Sequence, residues 1–231
     1  MKKSTTLPLL LSTIFIFLFA SVTKCQDNEN KQEDRIVSSA KVLKDFSEMK
    51  ESIPQELLKV TQGIIVVPKL INAGFVFAGK RGKGIAVLKQ EDGSWSNPVF
   101  VTITGGSVGF QVGVQAVDLV LIFKNGETLQ NIGKGSFTLG GDISATAGPV
   151  GRSSSASTDS KFEAEVYSYS SSKGLFAGIS LGGSEIAVDS KSNEAFYGND
   201  DDAKAIFSDD AETSSDAVAA LKETLKGLDG E

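Results

Sequence analysis

Residues 99–115 read VFVTITGGSVGFQVGVQ, and the pattern in this stretch decides the fold class. Between 107 and 115, apolar side chains occupy every even position, while serine, glycine or glutamine occupies every odd one. This two-residue period places one apolar face and one small or polar face on an extended strand. Glycine weakens a strand unless the sheet coils, bulges or lets another backbone approach closely. The stretch therefore predicts a strand of a strongly curved sheet.

The same period continues on both sides of this stretch. Of the chain's 24 glycines, 21 lie between Gly63 and Gly183, and the apolar segments in that interval are short and separated by turn residues. The predicted strands are 64–67, ended by Pro68, and then 99–103, 108–114, 119–123, 137–147, 162–168, 175–181 and 185–188. Because no long helical pattern intervenes, we expect a mainly antiparallel, strongly curved or barrel-like sheet.

Helices are predicted at both ends of the sheet. Apolar residues recur every three or four positions from 36 to 49 and from 218 to 228, which places them on one face of a helix. Shorter helices are expected after Pro54, at 193–197 and at 203–207. The fold class is thus α+β, with a single domain over 33–231 and a glycine-rich sheet core at 63–188.

The first 24 residues have the layout of an export signal. Two lysines precede an apolar run at 7–20, which is shorter than the roughly 20 residues that a membrane span needs. Cys25 follows, and it is either the acylated cysteine of a bacterial lipoprotein or a residue incidental to ordinary signal cleavage. We therefore expect a signal peptide at 1–24, a polar tether at 25–32 and a location in the periplasm or at the outer membrane or cell envelope.

The composition excludes the commonest catalytic schemes. The 231 residues contain no histidine and one cysteine, so the chain lacks an imidazole base, a Ser-His-Asp relay, a Cys/His zinc site and an internal disulfide. The formal net charge is −6, which disfavours nucleic acid as a partner because phosphate binding requires a basic face. We expect no catalytic residue, no metal site and no cofactor.

The segment at 79–84, GKRGKG, is the dense cationic spot of the sequence. Its glycine N–H groups, together with Lys80, Arg81 and Lys83, can hold a phosphate or an anionic lipid headgroup. The segment is not a P-loop, since GxxxxGK[ST] is absent. The alternative interpretation is a charged hairpin tip between two flanking strands.

The order of several short motifs resembles the SYLF-domain family over roughly residues 33–228. The motifs are IVVPK at 65–69, GKRGKG at 79–84, WSNP at 95–98, TGGSVGFQVG at 104–113, FTLG at 137–140, GPVGR at 148–152, YSYS at 167–170, KGLFAG at 173–178 and FYG at 196–198. A set of this length is specific for a family and much less specific for a function. By this resemblance the chain is identified as an exported bacterial member.

The resemblance implies a non-enzymatic module that binds membrane lipid with anionic, phosphoinositide-like headgroups. The expected headgroup contacts are Lys69, Lys80, Arg81 and Lys83. The alternative is a structural or interaction protein that binds a protein partner without lipid. Fungal relatives of the family bind and bundle actin filaments, so the family label suggests actin as that partner.

Replacing Cys25 by serine tests the anchor. If Cys25 carries acyl chains, the wild-type protein enters the detergent phase and Cys25→Ser moves to the aqueous phase, because each buried CH₂ contributes about 0.8 kcal/mol to membrane affinity. Detergent-phase separation of both proteins measures the difference. Unchanged partitioning would favour ordinary signal cleavage.

Overall fold

The structure, a computed structural model, describes residues 31–49, 53–74, 77–108, 113–148, 164–177, 179–198, 202–211 and 213–228. Its strands are β1 Gly63–Gly74, β2 Phe77–Leu88, β3 Val99–Val108, β4 Gly113–Phe123, β5 Phe137–Leu139, β6 Ala145–Ala147, β7 Val166–Ser172, β8 Leu175–Phe176 and β9 Ser184–Val188. Its helices are α1 at 31–48, α2 Gln55–Lys59, α3 Glu127–Gln130, α4 Ser190–Tyr197, α5 Ala203–Phe207 and α6 Asp216–Leu228. The α+β class is confirmed, with helices toward both ends.

The nine strands of the described residues form one sheet in the order β5-β9-β3-β2-β1-β4-β7-β6, with β8 paired to β7. Their pairings are antiparallel except for that of β6 with β7. The edge strands β5 and β6 are joined by residues 140–144 alone, a connection that spans at most about 22 Å. Eight strands laid flat would separate the edges by about 34 Å. The sheet is therefore curled into a nearly closed, barrel-like form, as expected.

Two glycines in the central strand β2 permit this curling. Both lie on the inner face of the sheet, where a Cβ on Gly84 would sit 2.1 Å from the carbonyl oxygen of Val66. A Cβ on Gly82 would sit 2.5 Å from Cγ1 of Val67. β1 thus lies closer to β2 than a larger residue would allow, which is the close backbone approach predicted from the in-strand glycines.

Pro68 does not end the first strand, contrary to the prediction. β1 continues to Gly74, and its register with β2 and β4 shifts across the proline. A bulge tolerates proline because the residue has no N–H to donate to a ladder. Lys69 in this bulge has a φ of 54°, and its N–H donates to Asp118 Oδ1 at 2.9 Å.

Three other segments differ from the prediction. The single strand expected at 137–147 is two short strands, β5 and β6, at opposite edges of the sheet. Residues 79–84 lie inside β2, where all six pair with β3 and 79–81 also pair with β1, so the hairpin-tip interpretation is wrong. The strand expected at 175–181 is reduced to β8, and beyond it the Ser180 carbonyl accepts a hydrogen bond from a side chain, that of Lys80. Residues 109–112 and 162–163 of two further predicted strands lie outside the described residues.

The helix α1 packs on the outer face of the sheet. A row of directly paired residues crosses five strands there, comprising Tyr169, Val120, Val66, Ile85 and Phe100. Arg35 near the start of α1 stacks 5.0 Å from the Phe100 ring, and Phe46 near its end contacts Phe176 with ring centroids 5.7 Å apart. The apolar stripes predicted for α1 and α6 face the core, and most of their residues are buried.

Alanine at position 84 tests the close approach. We expect Gly84→Ala to destabilise the fold by about 3 kcal/mol, because the added methyl group meets a backbone oxygen that no rotamer change can move. Gly79→Ala in the same strand is the matched control, since no described atom lies within 4 Å of its Cβ position. The free energy of unfolding of Gly79→Ala should stay within about 0.5 kcal/mol of the wild-type value. Urea unfolding measures both, and equal midpoints for the two variants would contradict the role of Gly84.

Candidate functional site

The four cations predicted to bind headgroups do not form one cluster. Side chains alternate along a strand, so Lys80 lies on the inner face of β2, while Arg81 and Lys83 lie on the outer face. Lys69 is exposed in the bulge of β1. The backbone of 79–84 is extended and pairs with β3 throughout, and 79–81 also pair with β1, so the segment does not form a phosphate-binding loop.

Lys80 is buried in the barrel. Its side chain is 5% exposed, and its Nζ donates a hydrogen bond to the carbonyl oxygen of Ser180. Burial lowers the pKa of the Lys80 ammonium group, because desolvation disfavours the charged form. The side chain therefore points into the protein rather than toward a membrane surface.

Lys83 forms an ion pair with Asp189, whose side chain is 10% exposed. Its Nζ lies 2.8 Å from Asp189 Oδ2, and Arg35 Nη1 lies 3.2 Å from the same oxygen. Ser192 Oγ also donates to this oxygen, at 2.8 Å. Burial acts to raise the pKa of Asp189, but the hydrogen bonds from Lys83 and Ser192 and the charges of Lys83 and Arg35 outweigh it, so the pKa lies below its ordinary value. Asp189 thereby joins α1, β2 and the start of α4.

Arg81, Lys69 and Lys83 are exposed, but Lys83 is held in the ion pair with Asp189. Within the described part of the chain, neither the Arg81 nor the Lys69 side chain makes a hydrogen bond or an ion pair. Arg81 stands directly between Ile71 on β1 and Thr104 on β3. Both cations are thus available to a ligand or partner on the outer face of the sheet.

Exposed apolar side chains lie beside these cations. Ile71, paired with Arg81, is 41% exposed, and Val114, its diagonal neighbour on β4, is 77% exposed. We call Lys69, Ile71, Arg81 and Val114 the outer patch. The sequence did not predict that Ile71 and Val114 belong to this patch. The two-residue period identifies apolar positions on a strand, but it does not show which of them a helix covers.

The described residues hold no obvious reaction centre. Among them no group of three or more His, Cys, Asp or Glu side chains is placed to bind a metal ion, and no helix in the same residues has both the length and the hydropathy of a membrane span. The export segment and Cys25 lie outside the described residues. A curled sheet that presents an apolar and cationic patch is the architecture of an interaction module.

Comparisons with known proteins place this architecture in a family. The family model described as "Ysc84: Las17-binding protein actin regulator" matches residues 104–228. "LAS seventeen-binding protein 3" from Saccharomyces cerevisiae is 36% identical over 184 residues, which cover 78% of this chain and 40% of that protein. "SH3 domain-containing YSC84-like protein 1" from Homo sapiens is 34% identical over 169 residues, which cover 70% of this chain and 49% of that protein. The chain belongs to this Ysc84, or SYLF, family.

The family assignment bears on role as well as on fold. The matched region spans about half the length of these relatives, so the activity of a whole relative does not transfer directly. The family description names binding and regulation, which supports an interaction-module role for the part that this chain shares with them.

The variant Asp189→Asn tests whether the carboxylate that binds Lys83 and Arg35 stabilises the fold. We expect Asp189→Asn to cost about 3 kcal/mol at pH 7, because it leaves the Arg35 guanidinium, whose side chain is only 11% exposed, without a counter-ion. The folded pKa of Asp189 lies below the unfolded value of about 3.9, so its stabilising effect is present above that value and is lost as the pH falls through the folded pKa. The difference in free energy of unfolding between the wild type and Asp189→Asn should therefore become smaller below about pH 4.

Asp45→Asn is the matched control for this measurement. It removes an exposed pair with Lys41, whose side chain is 70% exposed, and should leave the urea midpoint close to that of the wild type. Urea unfolding at pH 7 and pH 3 compares the three proteins. If Asp189→Asn and Asp45→Asn lower the free energy of unfolding equally at pH 7, Asp189 does not act as the counter-ion of Arg35.

Proposed function

We propose that this chain is a non-enzymatic interaction module that binds a protein partner of the actin machinery through the outer patch. The observation that carries the proposal is the exposure of Ile71 and Val114 beside Arg81, whose side chain makes no hydrogen bond or ion pair within the described residues. The family description, which names an actin regulator, supports this class of partner.

The chemistry of the outer patch suits a protein surface. Apolar side chains and arginine are the groups that supply most of the free energy at protein interfaces. Arg81 can bond a carboxylate through two parallel N–H groups, so the partner should present acidic residues next to apolar ones. Ile71 and Arg81 lie on the central strands β1 and β2, and rigid strands lose little conformational entropy when a partner binds.

Anionic lipid headgroups are the second candidate ligand. Lys69 and Arg81 each contribute about 1 kcal/mol near an anionic surface, and insertion of Val114 adds about 2 kcal/mol. A total of about 4 kcal/mol corresponds to a dissociation constant near 1 mM. The outer patch by itself is therefore a weak membrane site, and for this reason we rank the protein partner first.

Substitutions in the outer patch test the proposal. Arg81→Glu and Val114→Asp should each weaken cosedimentation with filamentous actin about tenfold, which corresponds to about 1.4 kcal/mol of binding free energy. Lys59→Glu makes the same charge reversal at an exposed lysine on α2 and should sediment like the wild type.

Vesicle sedimentation separates the two candidates. The same proteins are mixed with phosphatidylcholine vesicles that contain either no phosphatidylserine or about 20% of it. One outcome would favour lipid over a protein partner as the ligand. In that outcome the wild type binds anionic vesicles but not neutral ones, Arg81→Glu loses this binding, and no protein sediments with actin. Actin binding that survives both patch substitutions would refute the assignment of the outer patch.

A further inference from the structure

A layer of polar side chains crosses the inner face of the sheet, on the side opposite to the outer patch. Asn72 pairs with Lys80, Lys80 with Gly105, and Gly105 with Ser184. Asn72, Lys80 and Ser184 are 7%, 5% and 0% exposed. The residues next to this layer on the inner face are apolar and buried, and they include Leu70, Ile103 and Ile186. Polar groups in such surroundings require hydrogen-bond partners.

The charge of Lys80 is not neutralised within the described residues. Its ammonium group has three N–H donors, and the acceptor found for it there is the Ser180 carbonyl oxygen. Desolvation lowers its pKa, and no acidic group acts against that effect. A buried cation without a carboxylate is unfavourable, so this arrangement favours any anion that can reach the ammonium group.

Ser184 carries a second unsatisfied group in the same layer. Its Oγ is buried and has no hydrogen-bond partner among the described residues. Gly105 leaves the space that this hydroxyl occupies, since a Cβ on Gly105 would lie 2.7 Å from Ser184 Oγ. The hydroxyl thus lies against Gly105, which pairs with Lys80 on the next strand. Besides these donors, the layer contains the buried amide oxygen of Asn72, which is an acceptor.

We propose that Lys80 and Ser184 form an interior site for a single oxyanion group, a carboxylate or a phosphate. The ammonium group supplies the positive charge and at least two N–H donors, and the Ser184 hydroxyl supplies another donor. Ser180, Gly182 and Gly183 are exposed, and in the proposed complex a ligand oxygen takes the place of the Ser180 carbonyl on the ammonium group. The site is independent of the proposed partner binding, because it lies on the other face of the sheet.

Anion titration of the whole chain tests this site. Inorganic phosphate and acetate separately replace chloride at constant ionic strength, and calorimetry and the thermal unfolding midpoint are recorded. The wild-type midpoint should rise with anion concentration, because the anion binds the folded state alone. Lys80→Met should abolish the rise, and Ser184→Ala should weaken the affinity about tenfold through loss of one bond to a charged group. Lys59→Met, at an exposed lysine, is the matched control and should bind like the wild type.

Each outcome has a defined meaning. Binding of one anion, or of both, that depends on Lys80 and Ser184 supports the site and identifies its ligand class. No binding of either anion by the wild type would refute it, as would equal affinity in the wild type and Ser184→Ala. Lys80→Met should remain folded because an apolar side chain replaces a buried charge. If Lys80→Met does not fold, the loss of anion affinity in Ser184→Ala still tests the site. Arg81→Glu should still bind the anion, so failure here leaves the proposed function untouched.

Discussion

The close approach of β1 to the glycines of β2 is the constraint on which the rest of the structure depends. With 2.1 Å between the Val66 carbonyl oxygen and the Cβ position of Gly84, a larger residue there would push the two central strands apart. Their tight contact curls the sheet, so the edge strands β5 and β6 come near enough for residues 140–144 to join them. Curling also encloses the inner face, which buries Lys80 and Ser184.

Curvature and strand alternation together give neighbouring cations different roles. Lys80 enters the barrel, whereas Arg81 and Lys83 stay outside. Lys83 is then held by Asp189, which lies 106 positions away in the sequence and also binds Arg35 of α1. Arg81 is left unpaired in the described structure, next to exposed apolar side chains. The outer patch and the interior oxyanion site thus lie on opposite faces of one strand and can be tested separately.

The comparisons describe the family more firmly than they describe the site. The family model begins at residue 104, so β1 and β2, which carry Lys69, Lys80 and Arg81, precede the part of the chain that this family model matches. The proposals for these residues accordingly rest on their exposure, pairing and charge in this chain. The regulatory description of the family adds the class of partner, while the geometry of the outer patch supplies the contact surface.

The sequence by itself determined the α+β class, the curved sheet, the short helices α4 and α5 and the buried stripe of α6, because local periods and glycine positions depend on neighbouring residues alone. It also named Lys69 and Arg81. Only the tertiary structure decided that β1 continues through Pro68, that Lys80 is buried and that Ile71 and Val114 are exposed. The physical reason is that burial and pairing depend on strands and helices distant in the sequence, and no local pattern records which of them cover a given side chain.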